Sequence, residues 1–364
     1  MKKIVKRECL GKIKPYVPGK PTEEVERELG IKVSAKLASN ENALGPSPLA
    51  VKAAVDALAN LHRYPDGSCH HLRKALAGRL DLNPGQLLFA NGSDESIGLI
   101  ARTYINPGDE GIIPAPSFPQ YEFVLKVMGG IPRVVPLNED FTYDLDAVLH
   151  AITERTRLIF ICSPNNPTGT VLLRTELDRF LEALPEGIMV VIDEAYLEYV
   201  TADGYFDSLD YIRKGLPVIS LRTFSKIYGL AGLRIGYAVA AEQYIRDISV
   251  VCEPFHVNSL AQAAAAAVLD DDQYLAGGRK LVASGRVQLE KGLTAMGMKT
   301  YPTEANFLFV DFGRDSRKLF EDLLRHGVII RPGDIYGFPN HARITIGTGE
   351  ENASLLEILA LVTG

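Results

Sequence analysis

No cysteine in this chain stands close to another. The four, Cys9, Cys69, Cys162 and Cys252, are scattered. That argues against a disulfide framework or a zinc site and fits a reducing compartment. No apolar run is long enough to span a bilayer, the longest small-apolar stretch being "AQAAAAAVL". The opening "MKKIVKRECLGKIKP" lacks the continuous apolar core of a signal peptide, so a cytoplasmic location is expected. Basic residues do not cluster and the formal net charge is -6, so neither nucleic acid nor a membrane surface is an expected partner. There is no internal repeat and no low-complexity linker.

What is present is a hydrophobic content of 46% over 364 residues, enough for a sizeable core. The length suits one large and one smaller domain. In "PTEEVERELG", Pro21 opens a short helix, acids fill its first turn and Gly30 closes it. "PLAVKAAVDALANL" has apolar residues at helical spacing. Then come seven short apolar runs bounded by Pro, Gly and Asn: "QLLFAN", "EGIIPAP", "IPRVVPL", "RLIFICS", "IMVVIDE", "PVISLRT" and "RIGYAVA". Their length and their Ile and Val content predict strands. Continuous apolar strands alternating with helices predict an α/β fold with a mostly parallel sheet covered on both faces. After about residue 257 a long Ala-rich helical region leads to "NFLFVDF", a helix "SRKLFEDLLRHG", "VIIRPG" and "ARITIGT". These predict a smaller α+β domain. The expected division is a large domain over 46–256, with 1–45 as an N-terminal arm and 257–364 completing the small domain.

In open parallel sheets, ligands bind beyond the carboxyl ends of the strands. Those ends carry Asn91-Gly92-Ser93-Asp94, the turn Ser163 to Gly169 with Asn166 inside it, Asp193-Glu194-Ala195-Tyr196, and Arg222 to Lys226. Asn166, Asp193 and Lys226 lie roughly thirty residues apart, about one βαβ unit each. The set suits pyridoxal phosphate chemistry. A lysine amine forms a Schiff base with the aldehyde, and a carboxylate keeps the pyridine nitrogen protonated. A phosphate needs backbone N–H donors at a helix N-terminus, hydroxyls and an arginine. Gly92-Ser93-Asp94 offers the turn, Ser225 and Arg234 the hydroxyl and charge, and Asn166 and Tyr196 the hydrogen bonds to a phenolic oxygen. Each motif alone has a plainer reading: "GSDES" as a helix cap, "NNPTG" as a turn, an aspartate after a strand as a cap or metal ligand. Their order tips the balance, although spacing by itself does not name the cofactor.

At these residues the sequence resembles the fold-type I pyridoxal-phosphate aminotransferases, through "SPNNPTG", "DEAY" and "SKIYGLAGLRIGY" in order and spacing. Within that family, "KPYVPGKPTEEVERELG", "KLASNENALGPSP" and "RYPD" resemble the histidinol-phosphate branch. The resemblance implies a seven-stranded, mostly parallel sheet and the following roles. Lys226 is the Schiff-base lysine and proton shuttle. Asp193 pairs with the pyridine nitrogen, and Asn166 and Tyr196 contact the phenolic oxygen. Ser93, Asp94, Ser225 and Arg234 surround the phosphate. Phe118, in "PSFPQY", stacks on the ring. Tyr64 reaches the phosphate of a neighbouring subunit, which implies a homodimer. Arg343 clamps an α-carboxylate, a bidentate task that lysine does not reproduce. Arg331 and Tyr16 line the substrate phosphate. "CEPFHVN" departs from the commoner "PFNVN" by His256. The implied reaction moves an amino group between glutamate and a phosphorylated imidazole substrate, with no metal. An aromatic-amino-acid aminotransferase and a threonine-phosphate decarboxylase share these features and stay open. A purely binding role has no use for Lys226 and Asp193 together.

Overall fold

The computed structural model describes residues 4–13 and 19–363. Seven strands form the largest sheet. Their order is Leu87–Ala90, Gly236–Val239, Val218–Thr223, Met189–Asp193, Thr156–Cys162, Glu110–Ala115 and Ile131–Pro136. Gly236–Val239 runs antiparallel to both neighbours, and the other pairings are parallel. These strands fall in the seven apolar runs of the sequence.

Two-sided burial explains why the runs are continuous. Along Met189–Asp193, Val190 and Ile192 join the apolar cluster on one face of the sheet, while Met189 and Val191 join the cluster on the other. With no face in water, alternation has no reason to appear. Ile131–Pro136 is the exception. It is an edge strand, partly exposed, and it holds Pro132 and Pro136, which only an edge accommodates.

The expected helix boundaries have visible causes. Gly30 ends the helix Thr22–Leu29 at φ 65, with its N–H donating to the Glu26 carbonyl. The Ser47 hydroxyl accepts from the N–H groups of Leu49 and Ala50 to start Pro48–Ala57. The Ala-rich region proves to be two helices, Ser259–Val268 and Asp272–Ala295. The break falls where Asp271 accepts from the Tyr274 N–H and caps a new helix.

A four-stranded antiparallel sheet follows the order Arg331–Pro332, His341–Thr345, Phe307–Asp311 and Lys299–Thr300. "VIIRPG" is divided between two sheets. Val328–Ile329 pairs in parallel with Ala35–Lys36, and Arg331–Pro332 pairs with His341–Thr345. The switch at Ile330 takes the chain from one sheet to the other and brings Arg331 to the cavity. The core of one face of the large sheet continues into this region, where the Tyr196 ring meets Phe307 edge-on at 5.1 Å.

Candidate active site

Three parallel strands end side by side at Cys162, Asp193 and Thr223. Beyond them lies a cavity of about 250 Å³. Ser93, Asp94, Phe118, Asn166, Asp193 and Tyr196 line it, as do Ser225, Lys226, Arg234, Arg331 and Arg343. Of the described residues picked from the sequence, Tyr64 is not among them. Tyr64 is 84% exposed and stacks on Phe255 at 5.1 Å. Tyr16 lies outside the described residues.

Lys226 follows the strand Val218–Thr223 and reaches into the cavity. Its Nζ donates to the Ser39 carbonyl at 3.3 Å and sits 5.7 Å from the centre of the Tyr196 ring. Burial, and then the Arg343 guanidinium, push its amine down to about 8. Asp193 is almost fully enclosed. Burial pushes its carboxyl up to about 6, although two donors favour the ion: the Tyr121 hydroxyl to Oδ2 at 2.7 Å and the Ala195 N–H to Oδ1 at 3.1 Å. The Tyr196 hydroxyl accepts from Asn40 Nδ2 at 2.9 Å.

One end of the cavity is built from bare backbone at the start of a helix. Gly92 precedes the helix Ser93–Tyr104 at φ 81 and ψ 172, a region essentially reserved for glycine. A Cβ there would lie 2.7 Å from Arg234 Nη2, and one on Gly236 would lie 2.8 Å from the Ser93 nitrogen. Arg234 arches over this turn and pairs with Asp94 at 3.4 Å. Free N–H groups at a helix start, a guanidinium and the Ser225 side chain form an anion cradle.

At the other end, register brings two arginines together. Arg331 stands directly opposite Arg343 across an antiparallel pair, and both are buried. Directly opposed residues share one face of the sheet, so both arginines reach the same cavity. Arg343 is held from three sides. Nη1 donates to Asn166 Oδ1 at 2.6 Å and to the Tyr336 hydroxyl at 3.2 Å, and Nη2 donates to the Ala38 carbonyl at 2.6 Å. Its buried Nε has no partner among the described residues. Among the described residues the lining carries four cationic side chains, Lys226, Arg234, Arg331 and Arg343, against two carboxylates, Asp94 and Asp193. That excess fits a ligand bearing a phosphate, and the lysine and buried aspartate fit the rest of a pyridoxal phosphate.

Residues 33–359 match the family described as aminotransferase class I and II. The chain belongs to the class I and II aminotransferases. A histidinol-phosphate aminotransferase of Moorella thermoacetica is 52% identical to it, over 97% of this chain and 92% of that one. The histidinol-phosphate aminotransferase of Bacillus subtilis is 45% identical, over 97% and 98%. The crystal structure of histidinol-phosphate aminotransferase from Sinorhizobium meliloti in complex with pyridoxal-5'-phosphate superposes with a TM-score of 0.90 at 29% identity, covering 98% of each chain.

Several residues of this aminotransferase's site were not singled out from the sequence. Asn40 lies within "KLASNENALGPSP" and holds the Tyr196 hydroxyl; its own N–H donates to Thr345 Oγ1 at 2.8 Å. Tyr121 ends "PSFPQY" and bonds Asp193. Both stood in motifs already conspicuous, but only the tertiary fold shows their partners. The His256 ring, the departure in "CEPFHVN", does not line the cavity. It bonds the Phe89 and Glu253 carbonyls at 2.9 and 2.8 Å.

Proposed function

We propose that this aminotransferase moves an amino group from glutamate to imidazole-acetol phosphate, giving 2-oxoglutarate and histidinol phosphate in histidine biosynthesis, with pyridoxal 5'-phosphate as its cofactor. Near-full-length relatives bear that activity in their names. The observation that carries the substrate side is the cross-strand pair Arg331–Arg343, buried in the same cavity as Lys226 and Asp193.

When bound, the cofactor supplies an aldehyde to take up the amino group and a ring that draws electrons from the adjacent carbon. Lys226, with its amine at about 8, is partly neutral near pH 7 and serves as nucleophile and as base toward the substrate Cα proton. Asp193 keeps a proton on the ring nitrogen. Asn166 and Tyr196 hydrogen-bond the phenolic oxygen, and Phe118 covers the ring. Ser93, Asp94, Ser225 and Arg234 hold the phosphate. Arg343 takes the α-carboxylate of glutamate, and Arg331, with Tyr16, takes the phosphate of the imidazole substrate. A guanidinium fork suits both anions, which lets one pocket serve two substrates in turn.

The active unit in this reading is a cytoplasmic homodimer in which Tyr64 crosses to the partner's phosphate site. Exposed Leu49, Val51, Val55, Leu58 and Leu61 stand on the segment leading to Tyr64, an apolar face of the kind a second copy covers. The division into a large domain over 46–256 and a small one formed by the remainder belongs to the same reading.

A half-reaction screen tests the proposal: candidate amines are added to the loaded enzyme and the cofactor's absorbance is followed. Histidinol phosphate and glutamate should convert the cofactor fastest. A preference for phenylalanine would move the chain to the aromatic aminotransferases. Carbon dioxide release without 2-oxoglutarate would make it a decarboxylase.

A further inference from the structure

Tyr121 has no exposed surface, and its hydroxyl donates to Asp193 Oδ2 at 2.7 Å. It sits in the first turn of the helix Gln120–Met128, one turn after Phe118. Its ring lies flat on Phe160 at 4.8 Å and meets Phe118 edge-on at 5.7 Å. The ring is thereby fixed, and the hydroxyl can serve only the space between Cys162 and Asp193, which are neighbours across two parallel strands. The phenol itself is held far above its ordinary range by burial and by the Asp193 charge, so the proton between them belongs to the tyrosine.

We propose that Tyr121 is a positioning residue for Asp193: its phenol fixes the carboxylate's rotamer and favours its ionised form, and so sets how firmly the cofactor's ring nitrogen is kept protonated. The inference rests on the reading of Asp193 given above. A carboxylate out of water keeps its charge only through hydrogen bonds or a counter-charge. Oδ1 has the Ala195 N–H, and Oδ2 has Tyr121. The other ionisable groups around it do not help. Asp94 and Glu194 are carboxylates whose charges oppose ionisation. Cys162, Tyr143 and Tyr196 are neutral acids, each held up by burial. Tyr121 is therefore the one side chain among the described residues whose hydrogen bond favours the Asp193 ion.

The test is Tyr121→Phe, which keeps both ring contacts and removes one oxygen. In cofactor-free protein labelled with ¹³C at aspartate carboxyls, Asp193 is assigned by the loss of its signal in Asp193→Asn. It should titrate at about 6 in the unaltered protein and between roughly 7 and 8 in Tyr121→Phe, the change expected for losing one hydrogen bond to a charged group. Incorporating 2,3-difluorotyrosine, a stronger donor, should move it the other way. In the loaded enzyme, the acid limb of the pH–rate profile for Tyr121→Phe should rise in parallel and the rate recover at higher pH, which a merely damaged fold would not produce. An Asp193 titration unmoved by both changes overturns the role of Tyr121. If Asp193→Asn itself leaves the half-reaction intact, the reading of Asp193 fails instead.

Discussion

The sharpest consequence of the site concerns Lys226 before any cofactor arrives. Its amine stands at about 8 against an ordinary 10.5, through burial first and the Arg343 charge second. A displacement of that size makes the ammonium form roughly 3 kcal/mol less favourable than in water. At pH 7.4 a group near 8 is about one-fifth neutral, whereas an unperturbed lysine is neutral in about one part per thousand. The cofactor-free protein should thus present an amine a few hundredfold more available than its surface lysines. Trace acetylation across pH, read by mass spectrometry, gives the titration of each lysine. Lys226 should acetylate fastest and titrate near 8. Lys52, exposed and paired with Asp56, lies above its ordinary value and should react slowly. Arg343→Ala removes the neighbouring cation and admits water, so the Lys226 midpoint should move up. A Lys226 midpoint above 10 in the unaltered protein, or a downward move in Arg343→Ala, would refute the electrostatic account of Lys226.

Losing Arg331 should lower kcat/KM for histidinol phosphate roughly ten- to a hundredfold, as expected for one charged hydrogen bond, with phenylalanine hardly affected; equal losses for both would remove Arg331 from the phosphate. Gly92→Ala should weaken cofactor binding by roughly one to two decades, because the backbone is strained and the new Cβ strikes Arg234; unchanged affinity in an equilibrium titration would show that the turn does not cradle the phosphate. Mixing subunits carrying Tyr64→Phe with subunits carrying Lys226→Ala should restore about a quarter of native turnover, since half the dimers regain one complete site. No recovery would mean that Tyr64 serves its own chain's site or none.

The large sheet was legible because its chemistry is local. Each central strand is buried on both faces, so each is written as a short unbroken apolar run, and the polar residues gather at the carboxyl ends. Asp193 and Lys226 stood out because a charge at the end of such a run needs a reason. The pairings inside the site were not legible. Tyr121 and Asp193 are 72 residues apart, and Asn40 and Thr345 are 305 apart. Nothing in either local sequence states the partner. The division of "VIIRPG" was not legible for a related reason: its two pairing partners, Ala35–Lys36 and His341–Thr345, lie far from each other in sequence.

That split also brings Arg331 and Arg343 to one cavity. Had "VIIRPG" continued as a single strand beside Ala35–Lys36, Arg331 would have stayed with that pair and away from Arg343. Switching sheets puts it opposite Arg343 in register. Arg343 is meanwhile tied to Asn166 beyond a strand of the large sheet and to Ala38 on the segment after Ala35–Lys36. Arg343 is thus positioned by the large sheet and the N-terminal segment together. Both arginines line the cavity that holds Lys226 and Asp193. In the function proposed above, a dicarboxylate and a phosphate would use the same two guanidinium forks in turn, and an uncharged aromatic side chain would use neither.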